Sequence, residues 1–77
     1  MVLVTRAGCH LCDVVRPVLG QVVAETGLTW SEVSLNEHPE LESRYGEMVP
    51  VILIDGAVHD YWRLDPVRLR AALRQRT

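Results

Sequence analysis

Residues 1–12 of the chain read MVLVTRAGCHLC. The β-branched, apolar run at residues 1–5 predicts a buried strand, and the following turn at residues 6–8 predicts its end. Beyond the turn, one helix face is predicted by apolar residues at the i, i+3, i+4, i+7 spacing, which are Leu11, Val14, Val15, Val18, Leu19, Val22 and Val23. Gly27 is a suitable helix stop. Cys9 and Cys12 therefore lie where a strand passes into a helix, with Cys9 at the helix N-terminus.

The rest of the chain continues this alternation of strands and helices. Residues 28–35 predict a second strand, and residues 36–39 open a short helix that ends at Gly46. Residues 49–54 form the most apolar segment, and Asp55-Gly56 is a strong two-residue hairpin signal before a returning strand at residues 57–60. Asp65 is an N-cap for a last helix that begins at Pro66. The order β-α-β-α-β-β-α predicts an α/β domain over residues 1–77, with a four-stranded mixed sheet flanked by helices on both faces.

Composition excludes several classes of protein. A chain of 77 residues has room for one small domain, and 48% apolar with 23% charged residues fits neither a disordered nor a membrane-spanning chain. A net charge of -2 argues against nucleic acid or anionic lipid as a partner, so we expect neither nucleic acid nor membrane binding. Two cysteines are too few for a disulfide-stapled secreted mini-protein. With no secretory leader recognisable at residues 1–4, we expect a cytoplasmic monomer whose thiols are reduced.

The spacing of Cys9 and Cys12 predicts thiol–disulfide chemistry. Unpaired N–H groups and the positive end of the helix dipole favour a thiolate at Cys9. Cys12 lies one turn further along, where it can attack a mixed disulfide formed on Cys9. The sequence thus predicts a cycle that leaves the two cysteines joined.

Two other interpretations stay open at this level. In the first, the pair holds a metal or an iron–sulfur cluster, and His10, His38 or His59 supplies further ligands for a zinc ion. In the second, both cysteines are small packing residues of a non-catalytic interaction module.

Two motifs together resemble the glutaredoxin-like family of the thioredoxin superfamily, in particular the small glutaredoxin-like proteins of bacteria. They are the GCHLC sequence of residues 8–12 after the first strand and the VPV sequence of residues 49–51 before the hairpin. The resemblance covers nearly the whole chain and implies a thioredoxin-like fold. It also implies that Cys9 is the nucleophile, that Cys12 is the resolving thiol, and that the Val49-Pro50 bond is cis and offers backbone to an extended substrate. The implied substrate is a disulfide-bearing protein or a small thiol compound.

The resemblance also indicates which neighbours of the cysteines bind substrate. Arg6 matches a position where glutaredoxins often carry lysine, so its charge favours the thiolate or attracts an anionic substrate. His10 is oriented near Cys9 by the first helical turn. With Val49 and Pro50, these residues complete the predicted substrate site, for which we expect no metal and no bound cofactor.

One departure from the family concerns glutathione. Glutaredoxins carry two glycines and an acidic residue after the hairpin, where this chain has Tyr61 and Trp62. We therefore do not expect glutathione in its usual pose, although it remains a candidate reductant. Tyr61 and Trp62 either shield the cysteines or pack on the edge of the sheet.

Overall fold

A computed structural model of the protein describes residues 1–76, and residue 77 of the predicted domain lies outside the described part. The strands are β1 (Val2–Thr5), β2 (Ser31–Ser34), β3 (Val51–Ile54) and β4 (Ala57–Tyr61). The helices are α1 (His10–Thr26), α2 (Glu42–Tyr45) and α3 (Pro66–Arg76).

The four strands form one mixed sheet in the order β2-β1-β3-β4. β1 runs parallel to β2, through the crossover helix α1, and antiparallel to β3, which pairs with β4 as a hairpin. The predicted architecture is therefore confirmed, and β1 lies in the interior of the sheet with a neighbour on each side.

Alternation along the central strands divides the core between the two faces of the sheet. Leu3 pairs with Ile52 in register, and both side chains are fully buried on the face covered by α1 and α3. Val4 pairs with Val51, and both are buried on the other face with Leu35 and the α2 residue Tyr45. The Leu3–Ile52 pair thus packs against α1 and α3, and the Val4–Val51 pair packs against α2.

Several elements differ from their predicted bounds, most of all the second strand and the short helix. β3 begins at Val51 instead of residue 49, and β4 ends at Tyr61 instead of residue 60. The second strand begins only at Ser31, because its parallel pairing begins at Val2, the first residue of β1. The predicted short helix is divided into a 3-10 turn, Pro39–Leu41, and α2. Proline suits the start of this segment, because the first N–H groups of a helical turn have no acceptor within it and proline has no N–H to leave unpaired.

Candidate active site

Cys9 is held at the start of α1 by a short turn that follows β1. Gly8 adopts a φ of 76°, which glycine reaches at little cost, and the Cys9 N–H donates to the Arg6 carbonyl at 3.2 Å. Cys9 is the N-cap residue of α1, and its Sγ accepts a hydrogen bond from the Cys12 backbone N–H at 3.2 Å. The sulfur therefore occupies the place where a serine or aspartate oxygen would usually cap a helix.

The two sulfurs have different environments although they lie one helical turn apart. Both are free thiols, and Cys9 is partly exposed, whereas Cys12 is 1% exposed. Burial, followed by a hydrogen bond with Cys9, raises the pKa of the Cys12 thiol from 9.0 to about 11, and a hydrogen bond from the Arg6 backbone opposes the shift. Cys12 is therefore a protonated thiol at neutral pH, and a reagent reaches Cys9 first.

We expect alkylation to reveal this difference. At pH 9, about half of the Cys12 thiols are ionised in the unfolded chain, against about one in a hundred in the folded protein. Iodoacetamide labelling across pH, followed by fragmentation of the peptide that contains both cysteines, measures each site. Because the folded pKa is the higher one, the folded state should also lose stability as the pH rises from about 9 to about 11. Equal labelling of Cys12 in folded and urea-unfolded protein at pH 9 would contradict the assignment.

The Val49-Pro50 bond is cis, as predicted. Pro50 is buried, and the residue after it, Val51, pairs with Val4 on one side and with Tyr61 on the other. The Pro50 carbonyl accepts a hydrogen bond from the Trp62 N–H at 2.9 Å. This turn therefore lies at the same end of the sheet as the β1–α1 turn that holds Cys9.

The other two predicted substrate-binding residues have different surroundings. The guanidinium of Arg6 donates to the Glu42 carboxylate at 2.7 Å and to the Gly46 carbonyl at 2.8 Å. It lines an open cleft of about 560 Å³ together with residues of the α2 segment. His10 is the first residue of α1 and is exposed. Arg6 thus joins the cysteine-bearing turn to α2, which the sequence did not predict.

A polar network beside Cys12 was also missed by sequence reasoning. Arg16, one turn beyond Cys12, donates to both oxygens of Glu32 at 2.7 and 3.0 Å and to Asp13 at 2.9 Å. The buried Thr5 hydroxyl donates to the same Glu32 carboxylate at 2.9 Å. The Arg16 charge contributes a small lowering of the Cys12 pKa. The i, i+4 spacing of Cys12 and Arg16 could have indicated that the two residues are neighbours on the surface of α1.

Trp62 adopts a conformation that its residue type does not predict. Its φ is 68°, and left-handed backbone costs a residue with a side chain about 1 to 2 kcal/mol. Two hydrogen bonds hold it there, one from its backbone to Pro50 and one from its indole Nε1 to the Glu47 carbonyl at 2.8 Å. The sequence could have indicated this conformation, because Trp62 follows the hairpin at a position where glutaredoxins carry glycine, the residue that tolerates a positive φ.

Of the three histidines proposed as metal ligands, His10 lies between the two cysteines in sequence, and the other two lie on other elements. Exposed His38 faces Glu40 at 3.2 Å, and His59 lies in β4. Burial and then the charge of Arg68 lower the pKa of His59, whose Nε2 is buried with no hydrogen-bond partner. Within residues 1–76, no group of three or more His, Cys, Asp or Glu side chains is arranged to hold a metal ion.

Comparisons with known proteins agree with this architecture. Residues 1–74 match the family described as Glutaredoxin-like domain (DUF836). Uncharacterized proteins of Mycobacterium bovis and Mycobacterium tuberculosis are each 35% identical over 80 residues, covering 97% of this chain and 82% of theirs. The X-ray structure of the structural genomics target protein XcR50 from X. campestris is also 35% identical. It superposes with a TM-score of 0.77, covering 96% of this chain and 95% of that one.

The sheet order, the helical layers and the Cys9–Cys12 pair at a strand-to-helix turn define a protein of the thioredoxin fold. Within that class, the chain belongs to the Glutaredoxin-like domain family (DUF836). Among the helices of the described residues, none has the length and apolar character that crossing a membrane requires.

Proposed function

We propose that this protein is a thiol–disulfide oxidoreductase in which Cys9 is the nucleophile and Cys12 the resolving thiol. The observation that carries the proposal is the asymmetry of the pair. Cys9 is partly exposed and its Sγ accepts an N–H at a helix N-terminus, whereas Cys12 is buried one turn behind it. The thiolate is the form of cysteine that attacks disulfides, and Cys9 presents its sulfur at a helix N-terminus, a position typical of reactive cysteines.

The first step is attack by the Cys9 thiolate on one sulfur of a substrate disulfide. A bond forms between Cys9 Sγ and that sulfur, the substrate S–S bond breaks, and the other substrate sulfur leaves as a thiolate that takes a proton from water. The Cys12 thiol keeps its proton during this step because burial raises its pKa to about 11.

The second step is attack by Cys12 on Cys9 Sγ. Cys12 loses its proton to water, its sulfur bonds to Cys9, and the second substrate sulfur leaves and is protonated. In total, two electrons and two protons pass from the two thiols to the substrate, which becomes a pair of thiols. A thiol compound of the cell, with glutathione as one candidate, then reduces the Cys9–Cys12 disulfide.

The residues around the pair support binding of a substrate next to Cys9. We propose that the Val49-Pro50 turn presents backbone to the substrate, and that His10 and Arg6 lie beside it. Because Arg6 is paired with Glu42, its contribution to the charge of the site is smaller than that of a free arginine. Disulfide-bearing proteins and small thiol compounds are the proposed partners.

A reducing compartment fits this chemistry. We propose that the protein acts in the cytoplasm as a monomer, where the thiol pool keeps cysteines reduced between turnovers.

The direct test is reduction of a protein disulfide by the reduced protein alone. Fully reduced protein mixed with excess insulin should lose both thiols and a mass equal to two hydrogens, while an equal number of insulin thiols appears. Adding dithiothreitol should make the reaction catalytic. Retention of both thiols after prolonged incubation would contradict the proposal, and copurified zinc or iron in stoichiometric amount would favour a carrier instead.

A further inference from the structure

Trp62 is fixed in place at the end of the β3–β4 hairpin. Its backbone N–H is bound to Pro50 and its indole N–H to the Glu47 carbonyl, so both ends of the residue are held. Its ring contacts Tyr61 edge to face, with the ring centroids 5.2 Å apart. A non-glycine residue with φ of 68° persists only where its surroundings determine it, and such residues cluster at functional sites.

The strand register places Trp62 near the cysteine-bearing turn. Tyr61 pairs with Val51, and Val51 pairs with Val4, so Trp62 lies across from Pro50 and Pro50 lies next to the end of β1. Since neighbouring strands lie about 4.8 Å apart, the Trp62 backbone is about 10 Å from Thr5, which leads into the turn before Cys9.

The aromatic pair is exposed rather than part of the core. Trp62 is 55% exposed and Tyr61 is 43% exposed. Two clefts lined by charged residues lie next to the pair. Tyr61 lines one of them with Asp60, Asp65, Arg63 and Arg68. The indole of Trp62 donates a hydrogen bond to the carbonyl of Glu47, and Glu47 lines the other cleft, which contains Arg6. Tyr61 and Trp62 thus form an exposed apolar patch with charged residues next to it.

We propose that Trp62 determines which disulfides reach Cys9, by binding an apolar side chain of a polypeptide next to its disulfide-bonded cysteine. This inference rests on the proposed oxidoreductase function and adds the class of substrate to it. An indole that is already held by two hydrogen bonds loses little conformational entropy when a ligand covers it. A small polar disulfide has no group to cover the indole, whereas a polypeptide bound at the Val49-Pro50 turn has neighbouring side chains that reach it.

The experiment compares two synthetic peptide disulfides that differ at one position. Both are disulfide-linked homodimers of the same peptide, with either leucine or serine adjacent to the cysteine. The wild-type protein should have a kcat/KM about tenfold higher for the leucine peptide, because covering part of an exposed indole contributes about a factor of ten. The preference should lie in KM rather than in kcat.

Variants at Trp62 then test whether this residue is responsible for the preference for the leucine peptide. Both Trp62→Gly and Trp62→Asn tolerate a positive φ and remove the ring, so the ratio of the two kcat/KM values should fall close to one. Trp62→Phe keeps an aromatic ring and should retain most of the ratio. Val58→Ala, which removes an exposed apolar side chain elsewhere on β4, should leave the ratio unchanged.

The outcomes separate this inference from the proposed function. A wild-type protein that reduces both peptides equally well overturns the role of Trp62 while the oxidoreductase function stands. The same conclusion follows if Trp62→Gly or Trp62→Asn retains the full preference. Failure of the wild-type protein to reduce either peptide overturns the function itself.

Discussion

Replacing Cys9 with serine should abolish disulfide reduction. A hydroxyl is far less acidic than a thiol and does not displace sulfur from a disulfide at neutral pH, so the rate should fall by about a thousandfold or more. The variant should fold normally, because serine is a good N-cap residue and its Oγ can accept the Cys12 N–H in place of the sulfur. Insulin reduction with dithiothreitol as the donor measures the rate, and thermal unfolding measured by circular dichroism checks the fold.

The buried position of Cys12 makes this result informative. If Cys12 could attack substrate by itself, Cys9→Ser would keep part of its activity. At 1% exposure and with a raised pKa, Cys12 lacks both the access and the charge for that attack. Retention of more than a tenth of the wild-type rate would show that Cys9 is not the nucleophile.

Replacing Cys12 with serine should instead cause a mixed disulfide between Cys9 and the substrate to accumulate. Cys9 still attacks the substrate, but no internal thiol releases the product, so one substrate molecule stays bound to each chain. Mass spectrometry under non-reducing conditions after incubation with oxidised glutathione, or with cell extract, should find one adduct on Cys9. In the wild-type protein the adduct is resolved, so it should be nearly absent.

A serine hydroxyl at this buried position costs about 1 to 3 kcal/mol if it finds no partner. Cys12→Ala provides a second variant without that polar group, and it should trap the same adduct. Cys9→Ser is the matched control, since it makes the same sulfur-to-oxygen change one turn away and should form no adduct. An adduct on Cys12 in Cys9→Ser, with none in Cys12→Ser, would reverse the assigned roles.

Local patterns in the sequence were sufficient to predict the fold. The apolar run before Cys9 and the helical spacing after it predict β1 and α1, and Asp55-Gly56 predicts the hairpin. The cis bond at Val49-Pro50 was predicted through the family resemblance and is confirmed. These features depend on residues that are close together in the chain or on a motif, and each can therefore be predicted from the sequence.

Contacts between distant segments could not be predicted in the same way. The Arg6 guanidinium meets Glu42 across 36 positions of the chain, and Thr5 meets Glu32 across 27. Alternation of residue types decides which face of the sheet a side chain takes, but it does not say which residue of a distant segment lies next to it. The start of β2 at Ser31 has the same origin, because it is determined by pairing with β1 rather than by the sequence of β2 itself.

The interior place of β1 in the sheet has a consequence for the energetics of the proposed reaction. Hydrogen bonds to β2 on one side and to β3 on the other hold the strand that ends just before the cysteine-bearing turn. The free energy needed to orient the two sulfurs is therefore supplied once, when the chain folds, and not again for each substrate. In the language of enzymology, the pair is preorganised: an incoming disulfide meets a sulfur that is already in place, and little of its binding energy is diverted to ordering the protein.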